Sequence, residues 1–313
     1  MDDQVVILMS TYNGQKYIRQ QLESIINQSY TNLKLLIRDD GSTDQTPLIL
    51  TEFANNYANI DFINQDSLEN KGFNGSFFEL IREGLRREPD CKFFAFADQD
   101  DVWFKDKILS AMKCIKKHRD GNKSPYVYYY ADKKWTDEHL NVLHEDDFSL
   151  CRDNYFDMFI LPPVYGCTSV ISRELAKKAL ESNQSTNLLY DVYIYRLACL
   201  IGGTLISDRS PQMYYRRHGN NASGDAMVFS IKKAIKTYIS KPSDMHGAKR
   251  YIVEIYDRYH EDINGEQEAL CKLIRDYEKS FPDSIRLMTW REAHRRGIKA
   301  SIMWIGRILL KAI

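Results

Sequence analysis

An α/β fold with a mostly parallel central sheet, followed by an α-helical C-terminal region, is what this sequence predicts. Three observations carry that expectation. Short apolar runs alternate with segments of helical period from Val5 to Ala131. Those runs are apolar on both faces, as strands are when helices cover a parallel sheet on two sides. From Phe229 onward the pattern is helical and strongly charged. A boundary near Gly224 then separates an N-terminal domain, residues 1–224, from a helical region, residues 225–313.

The elements follow in order. Val5 to Met9 is a β-branched apolar run ending in Ser10-Thr11-Tyr12-Asn13-Gly14, a buried strand closed by turn residues. Ile18, Leu22, Ile25 and Ile26 repeat at helical spacing. Leu33 to Ile37 is the second strand and runs into Arg38-Asp39-Asp40-Gly41-Ser42. The next helix is expected to turn Leu48, Phe53 and Tyr57 inward, with Ser42 and Gln45 as a capping box. Ile60 to Ile63 reads as the third strand, and Asn70 to Gly75 as a loop before a helix marked by Phe77, Phe78, Ile81 and Leu85. Phe93 to Ala97 is the fourth strand, and Ile108, Met112 and Ile115 lie on the following helix. Tyr126 to Ala131 reads as a fifth strand and Asp132 to Asp157 as a mixed polar stretch. Leu161 to Ile171 is apolar and contains Gly166. Asp191 to Ile201 is a helix stopped by Gly202-Gly203, and Thr204 to Ile206 a last short strand.

Composition narrows the function classes. The chain has 313 residues, 43% hydrophobic and 27% charged, enough for a folded core. With 43 basic and 43 acidic side chains the formal net charge is zero, which argues against a global field for nucleic acid or an anionic membrane and leaves room only for local asymmetry. The 6 cysteines are scattered without a C-x-x-C pair, which points to free thiols in a reducing, cytoplasmic setting. The first residues lack the basic region and apolar core of a signal peptide, and no run reaches the ~18 apolar residues of a membrane span.

In open parallel sheets ligands bind beyond the carboxyl ends of the strands. Three polar clusters follow apolar runs directly and meet there: Ser10-Thr11-Tyr12, Asp39-Asp40 and Asp98-Gln99-Asp100-Asp101. Like charges ~4 Å apart cost about 4 kcal/mol at an effective dielectric near 20, so the last cluster requires solvent, protons or a cation. Mg²⁺ and Mn²⁺ favour such oxygen ligands beside a diphosphate. Equally, Asp100 or Asp101 caps the helix through Lys105 to Lys117. Asp39 and Asp40 suit a ribose hydroxyl or a base N–H, while Asp40-Gly41 is also turn chemistry. Lys71 faces a diphosphate at a helix start or belongs to an ordinary Gly/Asn loop. Asp191 is a general base kept ionised by a helix N-terminus, or an N-cap. Arg216, Arg217 and His218 offer phosphate forks and a metal-ligating imidazole, or a solvated surface run.

Taken as an ordered set, STYNG (Ser10 to Gly14), IRDDGSTDQT (Ile37 to Thr46), ADQDDVW (Ala97 to Trp103), GCTSVISRELA (Gly166 to Ala176), LYDVYI around Asp191 and YRRHGNN (Tyr215 to Asn221) resemble the family 2 glycosyltransferases. The DQDDVW form with a later RRHGNN is most similar to the bacterial rhamnosyltransferase branch. That resemblance implies a GT-A fold, a Rossmann-like nucleotide-sugar-binding domain. It implies an inverting, Mn²⁺- or Mg²⁺-dependent transfer from a nucleotide-sugar donor, dTDP-L-rhamnose, to a lipid-linked saccharide acceptor of cell-surface polysaccharide synthesis. By position, Ser10, Thr11 and Tyr12 would line the nucleotide, with Asp40 on the base N–H and Asp39 nearby. Asp98 and Gln99 would flank the ribose, Asp100 and His218 the metal, and Asp191 would be the catalytic base. Three departures stand out. Phe77-Phe78 falls where many members carry Arg-Asn, shifting anion binding to Lys71 or to Arg216 and Arg217. Tyr190 replaces a histidine common in the branch. The Q-x-x-R-W motif of processive synthases is missing, which implies addition of one or a few sugars. A nucleotidyltransferase would instead carry a Gly-rich phosphate loop with a basic residue, and a non-catalytic scaffold would not need Asp98, Asp100 and Asp191 together.

Arg286 to Lys311 holds 7 Lys/Arg and the single acid Glu292. Ile298, Ile302, Ile305 and Leu309 form one helical stripe with Arg296, Lys299, Arg307 and Lys311 off it. The pattern fits a peripheral helix on the anionic inner face of the cytoplasmic membrane, or one packed on its own domain or on a second copy in a homo-oligomer.

Overall fold

The computed structural model describes residues 2–64, 69–119, 124–145, 164–181, 188–219, 247–290 and 298–309. These fall into two compact units. One holds the described residues up to His218 apart from Cys199–Gly202, and the other holds those four and the residues from Gly219 onward. The expected boundary at Gly224 and the end of the YRRHGNN motif lie outside the described residues.

The first unit runs β1 (Val5–Thr11), α1 (Ile18–Ile26), β2 (Leu33–Asp39), α2 (Thr46–Asn56), β3 (Ile60–Phe62), α3 (Gly72–Arg87), β4 (Phe93–Ala97), β5 (Val102–Trp103), α4 (Lys107–Arg119), β6 (Val127–Thr136), β7 (Val142–Glu145), β8 (Ser169–Ser172), α5 (Arg173–Leu180), α6 (Tyr190–Leu200) and β9 (Thr204–Arg216). Its sheet has the order β3-β2-β1-β4-β8-β6-β9-β5, with β7 beside β6. Strands β1, β2, β3, β4, β6 and β9 point one way and β5, β7 and β8 the other, so the sheet is mostly parallel. The chain winds outward from β1 through β2 to β3, then returns to lay β4 on the other side of β1. Such a reversal opens a crevice at the carboxyl ends of the strands. Thr11 sits opposite Asp39, and Met9 opposite Ala97, so Tyr12, Asp40 and Asp98 all emerge at that edge.

Both faces of the parallel strands are buried because both are covered. On one, Val5, Ile7, Met9, Leu35, Ile37 and Ala95 pack with Ile18, Leu22 and Ile25 of α1, Leu50 and Phe53 of α2 and Ile108, Ala111 and Ile115 of α4. On the other, α3 lies close enough that a Cβ at Gly84 would sit 2.7 Å from Phe94 Cε1 and 3.4 Å from Leu8 Cδ2. Each fully buried Leu, Ile or Phe contributes about 1.5–3 kcal/mol, so this two-sided burial dominates the stability of the unit.

Several local expectations are corrected. Leu48 is 72% exposed, because α2 buries Thr46, Leu50 and Phe53 and a residue two positions from Leu50 points the opposite way. Tyr57 leaves the helical phase: it is the extended residue that ends α2. No Ser42–Gln45 capping box forms; Thr46 N–H donates to Asp44 Oδ1 at 2.9 Å instead. The segment Gly72 to Gly75 is not a loop but the first turn of α3. Strands β6 and β9 run on to Thr136 and Arg216 as a parallel pair, well past Ala131 and Ile206.

The second unit carries α7 (Gly247–Tyr259), α8 (Gly265–Asp276), α9 (Phe281–Met288) and α10 (Ile298–Leu309). Ile252, Ile255, Leu270, Ile274, Leu287, Trp304 and Ile308 are among its buried apolar residues. On the last helix Leu309 is 66% exposed, while Trp304 is buried and donates Nε1–H to Leu287 O at 2.8 Å; the side chains of Ile298 and Ile302, half of the expected stripe, lie outside the described residues. No helix among the described residues is long and apolar enough to cross a membrane. A hollow lined by Lys249, Arg250, Glu254, Asp257 and Glu278 lies on these helices and contains none of the candidate residues.

Candidate active site

The turn after β1 is held by the turn after β2. Asp39 is fully buried: Oδ1 accepts from Thr11 Oγ1 at 2.8 Å and Ser42 Oγ at 2.6 Å, and Oδ2 from Ser42 N–H at 2.7 Å. Asp39 therefore braces the two turns from beneath rather than facing the crevice, and Thr11 is buried with it. Asn13 adopts a left-handed backbone, φ 48°; its N–H donates to Ser42 Oγ and its Oδ1 accepts from Thr43 N–H, both at 2.8 Å. Above this brace Tyr12 is exposed. Gln99 grips its backbone with two bonds of 2.9 Å, Tyr12 N–H to Oε1 and Nε2–H to Tyr12 O. Gly14 makes this grip possible, since a Cβ there would meet Gln99 Oε1 at 2.2 Å. Ser10 is half-buried at the end of β1.

Asp40 is held by a partner that the cluster reading missed. Its Oδ1 accepts from Arg38 Nη1 at 2.5 Å, Ser76 Oγ at 2.8 Å and Lys71 N–H at 2.7 Å. Arg38 is itself buried and reaches Glu69 O at 2.6 Å. A charge inside an apolar strand was the available sign that Arg38 has a buried counter-ion. With three donors on Oδ1, Oδ2 remains as the acceptor of Asp40. The Lys71 ammonium lies 3.5 Å from both Glu69 and Glu79, so local carboxylates neutralise it.

The Asp98 to Asp101 stretch splits into distinct environments. Strand β5 intervenes and α4 begins only at Lys107, so neither Asp100 nor Asp101 caps that helix. Asp101 is fully buried, with Oδ1 accepting from Arg216 N–H at 3.2 Å and Oδ2 without a partner. Burial first, and then the charges of Asp100 and Asp98, push Asp101 well above the usual carboxylate range. Burial and Asp100 push half-buried Asp98 up to about 7. Lys107 is the cation beside them: its buried Nζ donates to Cys167 O at 2.6 Å and lies 4.5 Å from the Trp103 ring centroid. Burial lowers it to about 8, although Asp101 and Asp98 pull the other way. The carboxylate repulsion is thus met by proton uptake and an internal ammonium. Asp100 stands apart, with Oδ2 2.7 Å from His218 Nε2 and both side chains 14% exposed. Tyr17, absent from the sequence reading, packs its ring 4.9 Å from that of His218.

Arg216 does not present a fork to the crevice. Only 3% exposed, it donates Nε–H to Asp100 O at 2.8 Å, Nη2–H to Gln20 Oε1 at 2.6 Å and Nη1–H to Glu138 O. Its guanidinium lies 4.5 Å from the Tyr17 ring centroid. Arg216 therefore fixes the backbone of Asp100. Arg217 N–H donates to Thr136 O at 2.9 Å, and its guanidinium lies 5.7 Å from the Trp135 ring centroid.

Asp191 sits in the first turn of α6, inside the helix rather than at its N-cap. Its Oδ1 accepts from Val192 N–H at 2.8 Å and its Oδ2 from Gly166 N–H at 2.9 Å. Burial outweighs those donors and raises its pKa. A raised carboxylate is the stronger base. The charges of Asp100 and Asp191 both act on Asp98, so the three carboxylates lie near one another, with His218 beside Asp100.

Two donor sets compare as seats for a cation. Asp98, Asp101 and Cys167 have ligand atoms within 4.8 Å of one another. Yet Cys167 brings a soft sulfur to the set, and Mg²⁺ and Mn²⁺ favour oxygen ligands. Asp100 and His218 already converge, offering the oxygen and nitrogen donors that Mn²⁺ accepts. They fit the group; the buried trio does not.

Comparison with known proteins agrees with this geometry. The model of "Glycosyl transferase family 2" matches residues 6–180. The dTDP-rhamnosyl transferase RfbG of Shigella flexneri is 33% identical over 72% of this chain and 76% of its own length. A second relative, the UDP-Glc:alpha-D-GlcNAc-diphosphoundecaprenol beta-1,3-glucosyltransferase WfgD of Escherichia coli, is 32% identical over 34% of this chain and 40% of its own. In fold, the crystal structure of S. aureus TarS 1–349 in complex with UDP-GlcNAc superposes with a TM-score of 0.58 at 17% identity, covering 97% of this chain and 82% of that one.

Proposed function

This chain belongs to glycosyl transferase family 2 and has its GT-A fold, and from that membership we propose an inverting, metal-dependent transfer of L-rhamnose from dTDP-L-rhamnose to a hydroxyl of a lipid-linked saccharide. That it is a glycosyltransferase of the kind found in polysaccharide synthesis follows from the family and the RfbG relationship. The metal and base roles in this reading are supported by one observation, that Asp98 feels both Asp100, which pairs with His218, and Asp191; the sugar and its nucleotide are supported by the name of the RfbG relative.

In this reading Asp40 Oδ2 accepts the base N–H, and Ser10 and Tyr12 flank the base. Gln99, fixed on the Tyr12 backbone, and Asp98 lie towards the ribose. A Mn²⁺ or Mg²⁺ ion held by Asp100 and His218 would supply Lewis-acid charge to the diphosphate. The acceptor oxygen attacks the anomeric carbon from the face opposite the nucleotide. The new C–O bond forms as the bond from the anomeric carbon to the diphosphate oxygen breaks, and configuration inverts. Asp191 takes the hydroxyl proton in that step, and its raised pKa suits it to hold it. Arg216 acts indirectly, by holding the Asp100 carbonyl, and the arginine fork is no longer needed as a diphosphate contact.

The lipid-linked acceptor is supported by the name of the E. coli relative, whose activity concerns an undecaprenol-linked substrate. Placement on the inner face of the cytoplasmic membrane, through the basic segment from Arg286 to Lys311, is part of the same proposal. The test is release of nucleoside diphosphate from a panel of dTDP-, UDP- and GDP-sugars with Mn²⁺ or Mg²⁺ and an undecaprenyl-diphosphate saccharide. Turnover of dTDP-rhamnose supports the reading. Binding of a donor without release from any would mark a scaffold instead, and turnover of a UDP-sugar alone would remove the rhamnose assignment.

A further inference from the structure

Tyr190 is fully buried at the first position of α6, immediately before Asp191. Its ring stacks on Phe77 with centroids 4.1 Å apart and planes at 21°, and leans on Phe96 at 5.0 Å and Phe73 at 5.5 Å. Its backbone N–H donates to Asn74 Oδ1 at 3.1 Å. The residue is thus fixed by α3 and β4 and has no freedom to retreat. Its hydroxyl is buried and has no hydrogen-bond partner. Packing rather than bonding therefore sets where that hydroxyl lies. It presses on Gly166: a Cβ there would sit 1.8 Å from the hydroxyl oxygen and 2.6 Å from Cζ. Gly166 in turn gives its N–H to Asp191 Oδ2 at 2.9 Å.

We infer that Tyr190 is a positioning residue: its ring, wedged between the Phe77–Phe96 face and Gly166, sets the height of the Gly166 peptide and through that N–H the direction of the Asp191 carboxylate. The contacts close into a loop, since Tyr190 is also the covalent neighbour of the residue it aims. One feature favours a coupled pair over an ordinary core tyrosine: the wedge requires a bare Cα at Gly166, a position whose N–H donates to the candidate base. Tyr190 and Gly166 are matched in size, so altering either alone moves Asp191, and altering both in opposite senses restores it.

The inference rests on Asp191 being the base, and the experiment separates the two. Gly166→Ala, Tyr190→Leu, Gly166→Ala/Tyr190→Leu, Gly166→Ala/Tyr190→Phe and Asp191→Asn are compared for kcat, donor KM, nucleotide affinity and melting temperature. A misplacement of about 1 Å costs about 100-fold, so Gly166→Ala should lose about that in kcat at unchanged nucleotide affinity. Leucine ends short of the phenol oxygen, so Gly166→Ala/Tyr190→Leu should recover to within about tenfold of wild type. Phenylalanine removes the 1.8 Å contact but keeps the 2.6 Å one, so Gly166→Ala/Tyr190→Phe should recover only part. Double variants no better than the product of the singles would overturn the wedge. Should Gly166→Ala alone fail to fold, Tyr190→Leu decides: kcat lowered about tenfold at unchanged nucleotide affinity supports the wedge, and an unchanged kcat overturns it. If Asp191→Asn keeps its rate, the base assignment fails whatever the pair does. If Asp191→Asn is inactive and the pair shows no coupling, only the present inference fails.

Discussion

Replacing Arg216 by methionine separates two roles that the sequence leaves together. The side chain is 3% exposed and donates to Asp100 O, Glu138 O and Gln20 Oε1. Methionine keeps much of the volume and removes every donor. Hydrogen bonds from a charged donor contribute about 1.5–3 kcal/mol each, and buried acceptors left bare cost about 1–3 kcal/mol. The three bonds share one guanidinium and do not add, and burial already disfavours its charge, so the loss should be about 3–5 kcal/mol. Urea unfolding would read it as a lower midpoint at unchanged slope. Asp100 would lose its backbone anchor, so Mn²⁺ activation should weaken with stability. Lysine should not rescue, because one ammonium cannot reach three acceptors spread around a planar fork. The competing role, a diphosphate clamp, predicts the opposite pattern: unchanged stability, and a selective loss of nucleoside diphosphate over nucleoside monophosphate binding. That pattern would refute the positioning argument.

Asp191→Asn should lower kcat by about 10²–10⁴-fold, roughly 3–5 kcal/mol of barrier, and leave nucleotide affinity in place; lost affinity with a retained rate would show that the residue binds rather than catalyses. Chelation should abolish transfer, and Asp100→Asn or His218→Asn should raise the Mn²⁺ needed for half activity at least about tenfold; an unchanged requirement in both would remove the pair as metal ligands. Lys71→Ala should alter diphosphate affinity less than about twofold, because Glu69 and Glu79 already neutralise the ammonium; a tenfold loss by calorimetry would reinstate it as an anion contact. Glu83, drawn down to about 2 by Arg86 first and then Arg87, gives a stability that is present above its ordinary value of 4.5 and lost as pH falls from there towards 2. Discounted for solvent screening it amounts to about 1 kcal/mol, so Glu83→Gln should be less stable than wild type at pH 7 and equal to it near pH 2; a deficit constant across that range would contradict the assignment.

The parallel half of the sheet was legible because its strands are buried on both faces and its helices on one. Val5 to Met9, Leu33 to Ile37 and Phe93 to Ala97 show in sequence as continuous apolar runs, and all are strands. Strand β9 was not legible beyond Ile206, because Asp208, Arg209, Ser210 and Pro211 lie where the β6–β9 register shifts. The inward set of α2 failed for a different reason: Leu48 and Tyr57 are apolar, but the phase of that helix is fixed by Thr46, Leu50 and Phe53.

At the site, strand-end position identified which segments meet, while the division of labour among neighbours depended on burial and partners that no spacing encodes. Asp39 and Asp40 are adjacent and chemically alike. One is buried under two turns and holds them together; the other takes three donors on a single oxygen and keeps the second as an acceptor. Asp100 and Asp101, consecutive in the turn between β4 and β5, divide in the same way. Asp101 turns inward to the Arg216 backbone and Lys107, and Asp100 outward to His218. A dense run of carboxylates at a strand end is therefore not one metal cage. Its inward members require an internal cation, which Lys107 supplies six residues after Asp101, and the outward one is left to meet a ligand. The same division explains why Arg216, the last residue of β9, and His218, two residues beyond it, differ so sharply: the arginine anchors the backbone that the histidine's partner hangs from.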